Sequence, residues 1–268
     1  MTEPATQAAA DLIWDCWTTH RRIVAIPSEI APATRRDGYA VQERLGLRSA
    51  APLFGWKIAA TSAAGQAHIN VDGPLAGRLL AERIIANGDD IPFTNNHMRV
   101  AEAEFAFRMG TDLPPRATPY SSQEAIAAVA SLHPAIEIPD SRFDDFTIVG
   151  APQLIADNAC AHYFVLGPAT VADWRAIDLA AHHAIGSVYH AGGGREQRQG
   201  VGANVLGDPR DALAWLVNEL SSLGITLRAG ETVTTGTCVA PIPIEAGDKV
   251  EADFGVLGQA TARIAYAR

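Results

Sequence analysis

The spacing of apolar and polar positions divides the chain into elements. From about residue 7 to about 25, "QAAADLIWDCWTTHRRIVA" repeats apolar residues at steps of three and four, the period of a helix with one buried face. After the prolines of "SEIAPATRRDGYAVQERLGL" a second short helix is predicted to begin near Arg36 or Asp37, with Asp37 near its cap. Residues from about 52 to 62 predict the first strand, Gly73-Pro74 in "VDGPLAG" a turn, and residues from about 98 to 109 a longer strand. "SSQEAIAAVASLH" predicts a helix capped by Ser121 or Ser122 with Glu124 close behind, followed by a short strand in "PAIEIPDSRF" and another in "ACAHYFVLG". Asp208-Pro209 opens the helix "PRDALAWLVNELSSLG", which Gly224 stops. "GETVTTGTCVAPIPI", "GDKVEADFGVLG" and "QATARIAYA" are β-rich pieces cut by glycine and proline. Strands dominate the later part without strict βαβ alternation, which predicts an α+β chain with a mixed or antiparallel sheet.

The strand "RVAEAEFAFRMG" places Ala101, Ala103, Phe105 and Phe107 on one face and Glu102 and Glu104 together on the other. Like charges at that spacing repel. Glu137 in "AIEIP" is a third acid within an apolar strand, opposite in facing to Ile136 and Ile138. A hard dication would remove the repulsion, and carboxylate oxygens are the ligands magnesium takes. The alternative is a solvated sheet face with Glu137 paired to an arginine such as Arg142.

Composition narrows the classes. The chain has 268 residues, 48% hydrophobic and 19% charged, which is ordinary for one or two globular domains. A net charge of −9 argues against nucleic acid and anionic membrane surfaces. No apolar run approaches the roughly 20 residues that span a bilayer. The start "MTEPATQAAADLIWDCW" lacks a basic stretch before an apolar block, so no signal peptide is expected. Cys16, Cys160 and Cys238 are odd in number and far apart, which fits a reducing cytoplasm better than disulfides or a zinc site. "GGGREQRQGVGANVLG" has neither nucleotide-binding glycine pattern, and there is no G-x-S-x-G elbow. His182, His183 and His190 have no metal-ligand spacing.

The chain has nineteen arginines and two lysines, Lys57 and Lys249. Lys249 lies in the turn-like "EAGDKVEAD" and reads as a surface charge. Lys57 lies in the apolar run "LFGWKIAAT". Lysine can lose its proton when desolvated and arginine cannot, so a chemical role is one reading. A strand lysine with a packed stem and a wet head is the other. "TTGT", Thr234 to Thr237, offers hydroxyls and N–H groups to an anion, or else serves β propensity.

Taken together, "DGYAVQ" (37–42), "GWKIAATS" (55–62), "VDGPLAGRLL" (71–80), "AEAEFAF" (101–107), "PAIEIPDSRF" (134–143), "IADNACAHYFVLG" (155–167), "VLGDPRDALAWL" (205–216) and "TTGT…GDKVEADFGVLG" resemble the 2-keto-4-pentenoate hydratase and 4-oxalocrotonate decarboxylase family, within the fumarylacetoacetate hydrolase superfamily. The segments run in family order over nearly the whole chain. The resemblance implies a mixed β-sandwich roll over residues 51–268, carrying the metal and the chemistry, preceded by a helical part over 1–50. It implies Glu102, Glu104 and Glu137 as ligands of Mg²⁺ or Mn²⁺ and Lys57 as the active-site lysine. It implies a small unsaturated 2-oxo acid as substrate, in the breakdown of aromatic rings after meta-cleavage. It also implies a homo-oligomer and association with a related pathway enzyme.

Three positions depart from the family pattern. Leu75 stands where hydratases commonly carry an aspartate implicated in proton transfer; decarboxylases are commonly apolar there. Asp72, in the same turn, is a candidate replacement acid. Cys160 replaces the usual serine, and "GWKIAAT" has Ala59 for a glycine. Leu75, Cys160 and Thr237 are taken as substrate-contact candidates. Hydration of a 2-hydroxy-2,4-dienoate is placed first, decarboxylation of a 4-oxalocrotonate type second, and a non-catalytic metal-binding partner of an active paralogue third.

Overall fold

In a computed structural model, described over residues 1–266, the strands form two mixed sheets. In chain order they are β1 (Gly55–Ala59), β2 (Leu75–Leu79), β3 (Ile84–Ile85), β4 (Asp90–Ile91), β5 (Val100–Met109), β6 (Val129–Ile138), β7 (Tyr163–Leu166), β8 (His183–Tyr189), β9 (Arg195–Val201), β10 (Thr232–Thr237), β11 (Ile242–Pro243), β12 (Lys249–Asp253) and β13 (Gln259–Ile264). The helices are α1 (Glu3–Thr19), α2 (Arg35–Gly46), α3 (Ala63–His68), α4 (Ser122–Ala127), α5 (Ala151–Ala156) and α6 (Pro209–Ser222). The larger sheet has the order β2-β1-β10-β5-β6-β7-β3, with β11 also on β5; the smaller has the order β4-β13-β12-β8-β9. Parallel pairs β1/β10, β3/β7 and β4/β13 make both sheets mixed.

The apolar face of β5 builds the interior. Ala101, Ala103, Phe105 and Phe107 are buried with Ile136 and Ile138 of β6, in one core with Val188, Val250, Ala252 and Ala262 of the smaller sheet. Fully burying a large side chain such as Phe105 or Phe107 contributes about 1.5–3 kcal/mol. A one-residue slip of β5 would trade these residues for its glutamates, so the register is strongly specified. The opposite face of the larger sheet holds a smaller apolar group, Leu79, Ala106, Ala135 and Phe164, beside the glutamates.

Helix ends follow local chemistry. Thr34 and Asp37 form a capping box at α2, so Asp37 sits three residues inside the cap residue, Thr34. Ser121 and Glu124 do the same at α4. Asp208 caps α6, Pro209 starts it, and Gly224 follows its end with φ +76°. α1 starts and ends earlier than its periodicity predicts, stopping at His20 with φ +58°. The helix predicted through "AVASLH" is corrected: α4 stops at Ala127, and Val129 to His133 join β6. There Leu132 and His133 pair with Phe107 and Ala106 of β5, and the ladder with buried Val129 and Leu132 outweighs local helix propensity. Glu137 therefore stands near the end of a ten-residue strand. α1 and α2 share their core with Phe143 and Ala156, which lie beyond residue 50.

Candidate metal centre and its lysine

The β5–β6 ladder sets Glu102 directly opposite Glu137 and Glu104 opposite Ala135. Residues paired in this way share a face, so all three glutamates project together. One carboxylate oxygen from each lies within 4.8 Å of the others. The face is not solvated: Glu104 and Glu137 are 0% exposed. Arg142 is not the partner of Glu137, because it is paired with Asp157 instead.

"TTGT" does bind an anion, and that anion is Glu104. Thr234 Oγ1 donates to Glu104 Oε2, and the Gly236 N–H donates to the same oxygen at 2.8 Å. Gly236 has φ +95°, and a Cβ there would lie 2.2 Å from Thr61 Oγ1, so glycine is required. Glu104 Oε1 and both carboxylate oxygens of Glu137 are buried with no hydrogen-bond partner among the described residues.

Lys57 comes to this face from β1, which reaches β5 through β10. Its Nζ lies 3.1 Å from Glu137 Oε1 and donates to the Ala159 carbonyl at 3.1 Å. Gly77, opposite Lys57 on β2, leaves room for the lysine stem: a Cβ there would lie 3.1 Å from Lys57 Cγ and Cδ and 2.4 Å from the Asn158 carbonyl.

The charges do not balance. Three carboxylates face one ammonium, an excess of two negative charges when all are ionised. Burial, then the charge of Glu137, pushes Glu102 up to about 7, with Lys57 opposing. Glu104 is raised well above the usual carboxylate range by burial and by the other two acids. Burial raises Glu137 as well, and Lys57 pulls it back. Burial opposes the charge on Lys57, but the three glutamates outweigh it and hold its pKa above the ordinary lysine value. Buried charge of this kind costs several kcal/mol per ion unless compensated. The uncompensated oxygens and the all-oxygen donor set fit a hard divalent cation.

The other predicted site residues are placed as follows. Leu75 is 0% exposed and opposite Ala59, on the same face as Lys57. Cys160 is buried near Lys57 and Asp157, and burial pushes its thiol up to about 12, so it stays protonated. Thr237 lies opposite Glu104 but turns its hydroxyl to the Val239 carbonyl. Asp72 is not brought to the glutamates: its side chain is 84% exposed and pairs with Arg35 at 2.9 Å. His182 and His190 bind the Phe254 carbonyl and Asp248 respectively.

Two residues the pattern did not single out, Asn158 and Ala159, complete the site together with Cys160. Asn158, Ala159 and Cys160 have φ of +56°, +51° and +59°. Each such non-glycine residue costs about 1–2 kcal/mol, asparagine least. This strained turn presents the Ala159 carbonyl to Lys57, and only the preference of asparagine for left-handed backbone hints at it in "DNAC".

A family model, the fumarylacetoacetate (FAA) hydrolase C-terminal domain, matches residues 65–265. The chain belongs to the fumarylacetoacetate hydrolase superfamily, in its 2-keto-4-pentenoate hydratase and 4-oxalocrotonate decarboxylase branch. It is 32% identical to 2-keto-4-pentenoate hydratase 1 of Dechloromonas aromatica (strain RCB), over 97% of each chain. It is 31% identical to 2-oxo-hept-4-ene-1,7-dioate hydratase of Escherichia coli, over 90% of this chain and 91% of that one. Among solved structures, 4-oxalocrotonate decarboxylase from Pseudomonas putida G7, complexed with magnesium and adipate, matches with a TM-score of 0.88 and 26% identity, over 98% of each chain. No helix of the described residues is long and apolar enough to cross a membrane.

Proposed function

We propose that this protein is a divalent-metal-dependent lyase that hydrates a 2-hydroxy-2,4-dienoate of the 2-keto-4-pentenoate type to a 4-hydroxy-2-oxo acid, in the catabolism of aromatic rings after meta-cleavage. The observation that carries it is the convergence of Glu102, Glu104 and Glu137 beside Lys57. Glu102, Glu104 and Glu137 would hold Mg²⁺ or Mn²⁺, which would supply Lewis-acid chemistry toward a 2-oxo acid. Thr234 and Gly236 fix Glu104, so one of its oxygens stays directed to that place. Lys57 holds a proton at Nζ, where a proton donor to the substrate is needed. Leu75 is a dry wall on the lysine face, with Cys160 and Thr237 as further substrate contacts.

In this reading the two sheets are the β-sandwich roll of the superfamily, with residues 1–50 a helical subdomain and 51–268 the catalytic domain. The substrate is a small unsaturated 2-oxo acid, and the protein is a cytoplasmic homo-oligomer, associated with a related pathway enzyme. The odd number and wide spacing of Cys16, Cys160 and Cys238 support a reducing compartment.

Decarboxylation on the same scaffold is the second reading, and Leu75 favours it. Hydration needs a group to deliver water to the far end of the conjugated system. Leu75 moves no protons, and Asp72 serves only if its pair with Arg35 opens. A departing carboxylate needs no such group and is helped by an apolar wall. The test gives the purified protein, with Mg²⁺ or Mn²⁺, 2-hydroxypenta-2,4-dienoate and separately 2-oxohex-3-enedioate. A hydroxylated product from the first is expected. Carbon dioxide from the second without consumption of the first reverses the order. Metal binding with inertness to both points to another 2-oxo acid or to a non-catalytic partner.

A further inference from the structure

The left-handed run Asn158–Ala159–Cys160 is the longest stretch of non-glycine residues with positive φ among the described residues. A run of this kind persists only where its surroundings over-determine it. Both ends are anchored. Before it, the Asp157 carboxylate accepts from Ser141 Oγ at 2.7 Å and from the Arg142 N–H at 3.0 Å, and the Arg142 guanidinium donates to the Asp157 carboxylate and carbonyl. After it, the Cys160 carbonyl accepts from the Asp140 N–H at 3.0 Å.

The third anchor is the Asn158 side chain. Its Nδ2 donates to the Arg78 carbonyl at 2.9 Å and its Oδ1 accepts from the Arg78 N–H at 2.7 Å. Arg78 lies on β2, the edge of the larger sheet, so the amide takes the place of a missing strand. β2 is the strand paired with β1, where Gly77 lies opposite Lys57. The amide thus ties the turn to the ladder that carries the lysine, with the Ala159 carbonyl 3.1 Å from Nζ.

We propose that Asn158 is a positioning residue for Lys57. Its amide locks the turn so that the Ala159 carbonyl accepts one N–H of the ammonium and holds Nζ beside Glu137, within ion-pair distance at 3.1 Å, with N–H groups left for the substrate. The proposal rests on the reading of Lys57 as the group that handles a substrate proton. The position of Lys57 is nevertheless measurable without turnover.

Lys57 and Lys249 are the only lysines, so protein labelled with ¹⁵N at lysine Nζ gives two side-chain signals. The Lys57 side chain is 3% exposed and that of Lys249 is 50% exposed, so the Lys57 N–H groups exchange slowly and the Lys249 groups fast. Asn158→Ala removes the amide. Asn158→Gly removes it too but adopts positive φ freely, which separates the anchor from backbone strain. In both variants, held well below their melting temperatures, the Lys57 signal is expected to shift and broaden. With turnover of either acid, kcat is expected to fall on the order of tenfold or more while KM and the Mg²⁺ midpoint move less than about threefold. An unchanged Lys57 signal in both variants overturns the proposal, whatever happens to kcat. If wild-type protein turns over neither acid, the functional reading fails, and the Nζ signal still decides the positioning role.

Discussion

Two buried charge clusters lie on either side of the Asn158 turn, and they are built oppositely. In the first, Arg142 and Asp157 are 1% and 0% exposed and satisfy each other: both carboxylate oxygens of Asp157 accept hydrogen bonds, and the guanidinium also donates to the carbonyls of Asp140, Ala161 and Asp157. The face of Trp17 covers the guanidinium at 4.3 Å. In the second, one ammonium faces three carboxylates, and buried oxygens of Glu104 and Glu137 have no hydrogen-bond partner among the described residues. The complete cluster leaves no charge unmatched, whereas the incomplete one, of net negative charge, fits a cation. Burial alone does not distinguish them; the count of charges and hydrogen bonds does.

The largest expected effect on stability breaks the complete cluster. Arg142→Met leaves Asp157 buried and unpaired, and urea unfolding is expected to show a loss of about 3–5 kcal/mol. Mg²⁺ should still raise the melting temperature of that variant, since the three glutamates are untouched. Loss of the metal response there would mean that the clusters are not separable.

Glu102→Gln tests the incomplete cluster. It removes one negative charge and one ligand, so the thermal shift on adding Mg²⁺ or Mn²⁺ should vanish. kcat/KM should drop at least about 100-fold, because loss of a mere outer partner of a metal ligand already costs 10–100-fold. The metal-free variant should be no less stable than wild type, because it relieves like-charge repulsion. A full metal-induced shift in Glu102→Gln would remove this residue from the site.

Lys57→Arg keeps the charge but not the capacity to give up a proton. A loss of kcat of at least about 100-fold is expected for a group in proton transfer. Near-normal kcat would reduce Lys57 to an ion-pair partner of Glu137.

The smallest effect is in pH dependence. Glu102 titrates near 7 in the fold, against 4.5 ordinarily, so between these values the folded chain binds more protons than the unfolded one. Its contribution to stability is fully present below about 4.5 and is lost as pH rises through about 7. Glu104 and Glu137 shift in the same direction. A bound dication favours the ionised carboxylates, so the gain in melting temperature on adding Mg²⁺ should be larger at pH 8 than at pH 5.5. An equal gain at both would show that the acids are not the ligands.

Much of this was legible in the sequence because it is local. Alternation in "RVAEAEFAFRMG" placed Glu102 and Glu104 on one face, and the caps at Ser121 and Asp208 marked helix starts. The rarity of lysine set Lys57 apart, and the order of segments matched the family. The short α3 and α5 are not legible in the sequence, since six residues carry too little periodicity. "AVASLH" reads as helix by its own residues, because its strand character comes from pairing with β5.

What the sequence by itself determined is therefore the kind of group at each position and the face it occupies within its own element. Only the tertiary structure decided which groups meet. Glu137 stands across from Glu102 because of ladder register. The hydroxyl of Thr234 reaches Glu104 across 130 residues of chain, and Ala159 receives Lys57 across 102. Asp72, three residues before the start of β2, pairs instead with Arg35. The physical reason is range: periodicity and capping act within a turn or two of a residue. Contacts between distant segments depend on register, on loop closure, and on which buried charges find partners.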